Sequence, residues 1–323
     1  MPFSIFKKLK KELAGNLKEN EVLAGYTTFK IGGPARYFYI AKEYSDFIKA
    51  IKLASRLGIP YFILGNGSNI LVSDQGFEGL VIKKKNGISP CDFKILKNKI
   101  IAGAGVKLNM LTEASVNACL TGMEWTAGIP GTIGGAVRGN AGAFDGQMAD
   151  IVEKVIILYN NEKKILRKDK LDFSYRNSVF KKNKKYVILS VELKLEKGDK
   201  KAIKEKIKYI LEKRHKISTP QYPTAGCVFK NPIIKNKKII KEFEKDTGKK
   251  SFGKIPAGYL IDRLDLKGKK IGNAVVGDKN ANFILNVGNA TAKDVIILIS
   301  LIKQKVRNRY NVQLEEEIEL VGF

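Results

Sequence analysis

Residues 44–72 read YSDFIKAIKLASRLGIPYFILGNGSNILV, and the order of patterns along this stretch sets the fold class. Phe47, Ile48, Ile51, Ala54 and Leu57 recur at helical spacing and share one apolar face, with Ser45 as the expected cap and Gly58 as the stop. YFIL at 61–64 then predicts a buried strand, and GNGSN at 65–69 the loop that follows it. Helix, strand and glycine-bearing loop in this order make an α/β unit.

On its N-terminal side, FKKLKKEL at 6–13 predicts a short solvated helix. On its C-terminal side, FEGLVIK at 77–83 and KNKIIAGAGV at 97–106 predict strands. Next, LNMLTEASVNACLTG at 108–122 predicts a helix with Leu108, Leu111, Ala114 and Ala118 on its apolar face and Cys119 beside them in the core. IVEKVIILYN (151–160) and YVILSVELKLE (186–196) are strand-like runs with FSYRNSVFK (173–181) between them. The basic amphipathic helix DKKAIKEKIKYILEKRHKI (199–217) separates this strand-rich part from a new segment and marks a boundary. Beyond it lie AGYLIDRL (257–264), short strands in KIGNAVVG and NFILNVG, a long helix capped by Thr291 and Asp294, and a final strand, EEEIELVG (315–322). There is no internal repeat and no low-complexity linker.

A chain of 323 residues with 44% hydrophobic content holds two or three domains with ample core. Three cysteines, Cys91, Cys119 and Cys227, and a single histidine, His215, argue against a disulfide framework or a zinc site. The N-terminus lacks a secretory pattern, and the longest apolar run, VIILISLI from Val295, falls well short of the roughly 18 residues of a membrane span, so a cytosolic, reduced protein without membrane insertion is expected. The formal net charge of +27 is spread over the chain without an aromatic-basic recognition motif; it disfavours a specific nucleic-acid function and favours attraction of small anionic ligands.

Two glycine-rich segments stand out: GNGSN, and AGIPGTIGGAVRGNAGAFDG at 127–146, which packs seven glycines into twenty residues. Glycine lets the backbone approach a ligand closely, so that N–H groups converge on phosphate oxygens. Neither segment matches the Rossmann fingerprint, and no G-K-[ST] phosphate loop is present. In TAGCVFKNP (224–232), Cys227 admits three readings on its residues alone: buried apolar group, metal ligand or proton donor. Near the C-terminus, Glu315, Glu317 and Glu319 share one face of the expected strand and Glu316 the other, and periodicity does not choose among the three.

Taken in order, TTFKIGGPARYF (27–38), LGNGSNILV (64–72), GIPGTIGGAVRGNAGAF (128–144), SYRNSVF (174–180), AGCVFKNP (225–232), AGYLID (257–262) and LEEEIELVG (314–322) resemble the UDP-N-acetylenolpyruvoylglucosamine reductase family. The resemblance takes in residues from about 21 to 323, leaving the first twenty outside. It implies an α+β fold: a two-part vanillyl-alcohol-oxidase-like FAD-binding unit plus a C-terminal α+β substrate domain. The expected divisions are an extension at 1–20, FAD-binding subdomains at 21–85 and 86–200, a substrate domain at 201–310 and a C-terminal strand at 311–323. The interval after SYRNSVF is short, which resembles the class lacking a substrate-capping tyrosine loop.

The implied activity is reduction of an enolpyruvyl UDP-sugar by NADPH through FAD, with the protein supplying orientation, charge stabilisation and a proton. By resemblance, Arg176 is the catalytic arginine, suited to a carboxylate by its guanidinium fork, and Glu317 the catalytic glutamate. Cys227 takes the place where most members carry a proton-donating serine. FAD contacts fall to Gly65, Asn66, Gly67, Ser68 and Asn69, and to Gly128, Pro130, Gly131, Thr132, Gly134, Gly135, Asn140, Ala141 and Gly142. Tyr175, Lys230 and Asn231 are the expected substrate contacts, and no metal is implied. Asp145, where glycine is common, and GDKNANFIL, which lacks a histidine often found near it, depart from the pattern.

Overall fold

The computed structural model describes residues 5–13, 15–85, 92–217 and 221–323; Cys91 lies outside them. The chain forms two compact units and passes between them several times: the first holds Met1–Asn20, Arg36–Asn66 and Gly79–His215, the second Glu21–Ala35, Gly67–Glu78 and Lys216–Phe323. Both mix helices and sheets, as an α+β chain should. Among the described residues no helix is long and apolar enough to cross a membrane.

The first unit is organised by a five-stranded antiparallel sheet, ordered Glu162–Arg167, Val152–Tyr159, Val187–Lys194, Lys99–Gly103, Phe93–Leu96. Its central strand, VILSVELK, serves two cores, and a shift of register against Val152–Tyr159 between Ile188 and Ser190 divides its apolar residues between them. Val187 and Leu189 join the cluster of Tyr37, Phe47, Ile51 and Leu80, while Ile188, Val191 and Leu193 join that of Ile100, Leu111, Trp125 and Ile133. The helix Tyr44–Arg56 buries Phe47, Ala50, Ile51, Leu53 and Ala54, but its cap is Glu43 and not Ser45. Glu43 and Asp46 form a reciprocal capping box, in which Asp46 Oδ2 accepts the Glu43 N–H at 3.2 Å, and Ser45 falls inside the first turn. The strand after it is Tyr61–Ile63, half-buried where full burial was expected, parallel to Leu80–Ile82.

Two further expectations need correction here. The N-terminal helix Ile5–Glu12 is not merely solvated: Leu9 and Leu13 are buried with Tyr37 and Tyr39, and Phe6 stacks on Tyr37 with ring centroids 6.3 Å apart. Each leucine contributes about 1.5–3 kcal/mol by burial. Cys119 is exposed, not core. The helix Leu108–Asn117 ends before it, so helical spacing no longer applies at Ala118 and Cys119, and the buried positions are Leu108, Leu111, Thr112, Ser115 and Val116. Cys119 itself adopts a left-handed φ of 53° as the chain turns away.

The second unit packs the helices Lys237–Thr247, Ala257–Asp262 and Ala292–Tyr310 with a three-stranded antiparallel sheet, Lys270–Ile271, Ala274–Val276 and Ile284–Asn286. Its core takes Phe29, Ile31 and Leu71 from early in the chain together with Phe229, Leu260, Leu298 and Ile318 from late in it. Thr291 caps the long helix as expected, its hydroxyl accepting the Asp294 N–H at 3.1 Å, and both carboxylate oxygens of Asp74 accept the N–H groups of Ala292 and Lys293 at 2.7 and 3.0 Å. The C-terminal strand is shorter than EEEIELVG: only Glu319–Val321 is regular, parallel to Ile70–Val72. Residues 315–318 bend instead, because they pair with residues 228–230 through isolated contacts.

Candidate active site

In the first unit the two glycine segments meet. Asn66 Nδ2 donates to the Pro130 carbonyl at 3.2 Å, and a Cβ on Gly65 would stand 2.9 Å from Thr132 Oγ1. Thr132 caps the short helix Ile133–Gly139, accepting the Gly135 N–H at 3.3 Å. Gly134 is fixed by packing, since its Cβ would lie 2.8 Å from that of Ala104. Gly131 and Ala141 engage their backbones in the turns around this helix, and Gly128 lies against Leu211 and Arg214 of the basic helix.

Asn140, buried and left-handed at φ 42°, spends its side chain on the protein. Its Nδ2 donates to Gln147 Oε1 at 3.1 Å and to the Ser174 carbonyl at 2.9 Å, and its Oδ1 accepts the Ala149 N–H at 2.9 Å. Asn140 thereby holds the hairpin that SYRN forms. Ser174 and Asn177 exchange both backbone hydrogen bonds at 3.1 Å, leaving Tyr175 and Arg176 at the tip. Arg176 takes a left-handed φ of 54°, its guanidinium lies over the Tyr175 ring at 5.2 Å, and its Nη1 is 3.3 Å from where a Cβ on Gly142 would be. A hairpin tip in this conformation projects a cation from a fixed base. Ser178 completes the base by donating to the Arg138 carbonyl at 2.7 Å.

In the second unit, residues 227–230 run between two other segments. On one side Cys227 bridges Phe283, Val228 N–H donates to the Asn282 carbonyl at 2.8 Å, and Asn282 grips Phe229 with both ends of its amide, at 2.9 and 2.8 Å. On the other side Glu317 N–H donates to the Val228 carbonyl at 2.7 Å and Phe229 bridges Glu316. Cys227 and Glu317, both half-buried, are thus carried by neighbouring backbone segments. The glutamates beside Glu317 are spoken for: Glu315 pairs with Lys230 at 3.0 Å and Glu316 with Lys303 at 2.8 Å.

Other expected contacts have clear structural duties in this unit. Asn69 Nδ2 donates to the Glu317 carbonyl at 3.1 Å, and its own carbonyl accepts the Glu319 N–H at 2.9 Å. Asn231 Oδ1 accepts the Ala257 N–H at 3.1 Å, capping the AGYLID helix. Gly67, at φ 63°, passes so near Tyr26 that a Cβ would come within 2.4 Å of its carbonyl oxygen. Thr28 explains the TTF motif: its hydroxyl donates to the Thr224 carbonyl at 2.8 Å, steadying the turn before Cys227. Ser68 is half-buried in the same loop. Arg176 stands in one unit, and Cys227 and Glu317 in the other.

Sequence reasoning missed Asn282 and Lys83. Asn282 is buried and holds the cysteine segment from outside the motif that names it, so only a three-dimensional contact exposes its role. Lys83 Nζ donates to the Gly65 carbonyl at 2.5 Å, and burial first, then the charge of Lys107, pull its pKa down to about 8.

The residues of the first unit suit a dinucleotide. Gly65 leaves a cradle that a Cβ would fill, Lys83 reaches its carbonyl with the charge of Lys107 acting on it, and the N–H groups of Gly65, Asn66 and Thr132 donate to no acceptor among the described residues. Comparison with known proteins agrees on both parts of the chain. Residues 35–164 match the model of an FAD binding domain, and residues 219–321 that of the UDP-N-acetylenolpyruvoylglucosamine reductase C-terminal domain. The reductase of that name from Clostridium novyi is 38% identical over 313 residues, covering 95% of this chain and 92% of its own.

The chain belongs to the UDP-N-acetylenolpyruvoylglucosamine reductase family. The family member from Anoxybacillus flavithermus is 36% identical over 320 residues, covering 98% of this chain and 99% of its own, so the likeness reaches into the first twenty residues that the motifs left out. The crystal structure of UDP-N-acetylenolpyruvylglucosamine reductase from Thermus caldophilus matches with a TM-score of 0.75 at 32% identity, covering 94% of this chain and 99% of that one. Members of this family are FAD-dependent oxidoreductases, and the order of the two family matches follows that assignment along the chain.

Proposed function

We propose that this chain reduces UDP-N-acetylglucosamine enolpyruvate to UDP-N-acetylmuramate in the cytoplasm, with NADPH as reductant and FAD as resident cofactor, in the supply of peptidoglycan precursors. The observation that carries it is the succession of an FAD binding domain and this reductase's C-terminal domain in a chain that spans 92% of a relative of that name. The glycine segments around Gly65 and Thr132 would hold FAD, which would supply the hydride chemistry between NADPH and the enolpyruvyl double bond.

The chain's own residues then handle charge and proton. Negative charge develops from C2 into the substrate carboxylate, and Arg176, held on its hairpin by Asn140, offers a planar two-pronged donor to such a group. The Cys227 thiol gives the proton to C2. A thiol is a stronger acid than the serine hydroxyl that most members carry at this place, so the exchange keeps a group able to give a proton. Glu317 orients the substrate or assists that transfer, on a backbone fixed by Asn69 and Val228. Tyr175, Lys230 and Asn231 are the further side chains offered to the sugar nucleotide, and the Asn231 side-chain oxygen also accepts the Ala257 N–H at the start of the AGYLID helix. Helix, strand and basic helix take up the described residues after SYRNSVF, which supports membership of the class lacking the tyrosine loop.

The test is direct. The purified protein should be yellow, acid precipitation should release its flavin into solution, and NADPH consumption should depend on the enolpyruvyl substrate. A colourless chain that cannot be loaded with FAD would sink the proposal.

A further inference from the structure

Lys83 has no task in the chemistry above, yet its placement is costly. It lies near the end of the strand Phe77–Lys84, with its Nζ on the Gly65 carbonyl at 2.5 Å. Burial and the neighbouring charge of Lys107 both disfavour its ammonium form. Among the described residues neither lysine forms an ion pair with a carboxylate. A half-buried cation beside a second cation, with no carboxylate paired to either among the described residues, is the arrangement expected of an anion site.

The surrounding backbone is built accordingly. Lys107 and Thr132 are an antiparallel pair not hydrogen-bonded to each other, flanked by Leu108 N–H on the Gly131 carbonyl at 3.0 Å and Ile133 N–H on the Val106 carbonyl at 2.8 Å. Side chains of such pairs stand close together. Thr132 Oγ1 in turn borders the space that Gly65 leaves free. Two cations, one hydroxyl and the N–H groups of Gly65, Asn66 and Thr132 therefore collect donors without a carboxylate among them.

We propose that Lys83, with Lys107 beside it, receives the diphosphate bridge of bound FAD. The inference rests on the flavin assignment and adds these side chains to it. The nucleotide sugar also carries a diphosphate, but every residue named lies within residues 35–164, the part matched to an FAD binding domain. The cation does two things at once: it supplies a charge-assisted hydrogen bond and fixes the Gly65 carbonyl so that the loop amides stay turned outward.

The experiment titrates FAD into the full-length chain stripped of flavin, reading fluorescence quenching at low and high salt, with UDP as a second probe. Lys83→Gln keeps a donor for the Gly65 carbonyl while removing the charge; Lys83→Arg keeps the charge. Lys83→Gln should bind FAD roughly ten- to a hundredfold more weakly, with a flatter salt dependence, and Lys83→Arg within a few-fold of wild type. UDP affinity should not change. FAD binding by Lys83→Gln within about twofold of wild type overturns the proposal. So does a loss with the salt dependence of wild type, or a loss confined to UDP. Thermal unfolding checks the fold of each variant, and if Lys83→Gln does not fold, Lys107→Gln decides: unchanged FAD affinity then overturns the proposal. A wild-type chain that takes up no FAD sinks the flavin assignment along with it.

Discussion

Arg176 and Cys227 are carried in different ways, and their substitutions should fail differently. Arg176 sits at the tip of a two-residue hairpin, with a left-handed backbone that lysine tolerates as well as arginine does. Arg176→Lys should therefore fold, retain FAD and accept reduction by NADPH, while transfer to the enolpyruvyl substrate slows by about 10²–10³-fold for want of the paired donors. Stopped-flow absorbance separates the two half-reactions, and a loss confined to FAD binding would reassign the residue. Cys227→Ser should keep a measurable turnover that thiol alkylation does not abolish, whereas Cys227→Ala should lose about 10²–10⁴-fold, with the defect in reoxidation of reduced flavin. Turnover of the alanine variant within a few-fold of wild type would make this cysteine packing.

What the sequence discloses at the level of elements follows the range of the interaction. Thr291 and Asp294 read correctly because a capping box needs only residues three apart. Ser45 misled because Glu43, two positions earlier, does the same work with a longer side chain. The strand of four glutamates ran too long in the sequence because residues 315–318 answer to residues 228–230, a partner that periodicity does not see. The glycine segments read as turns that come close to other backbone, and they do meet, but Lys83, which reaches Gly65 from another strand, left no mark in the local pattern. The long helix offers the test. Thr291→Ala should cost about 1 kcal/mol, read as a lower denaturant midpoint with unchanged slope. The backbone N–H and hydroxyl of Thr291 hold the Asp294 carboxyl below its usual range. A depressed carboxylate stabilises the fold above its unfolded pKa, and that contribution is lost as pH falls through the folded value. Wild type should thus lose this share of stability in acid below about pH 4, and Asp294→Asn should show a correspondingly shallower acid loss.

Across the whole molecule the excess of positive charge, +27, acts on encounter and not on fold. NADPH and a UDP-sugar are both anions, so their second-order association should slow several-fold as salt rises from about 10 to 200 mM, while the chemical step at saturation changes little. Stopped-flow rates against substrate concentration check this, and a salt-independent association would show that the charge is too diffuse to steer. The two units explain why motifs scattered along the sequence belong together: each unit is assembled from three separated stretches of chain.

That scattering also constrains how the protein is made. The strand Glu319–Val321 lies against Ile70–Val72, and the Glu317 carbonyl is held by Asn69. A ribosome must therefore release almost 250 further residues before the early strand meets its parallel neighbour, a wait of roughly ten seconds or more at ~5–20 residues per second. Closing so long a loop adds little to the equilibrium cost, because that cost grows only with the logarithm of length, but it makes the pairing late. Through that interval Ile70–Val72 is a bare apolar edge in a nascent polypeptide, the natural place for a chaperone to hold on and for a stalled chain to aggregate.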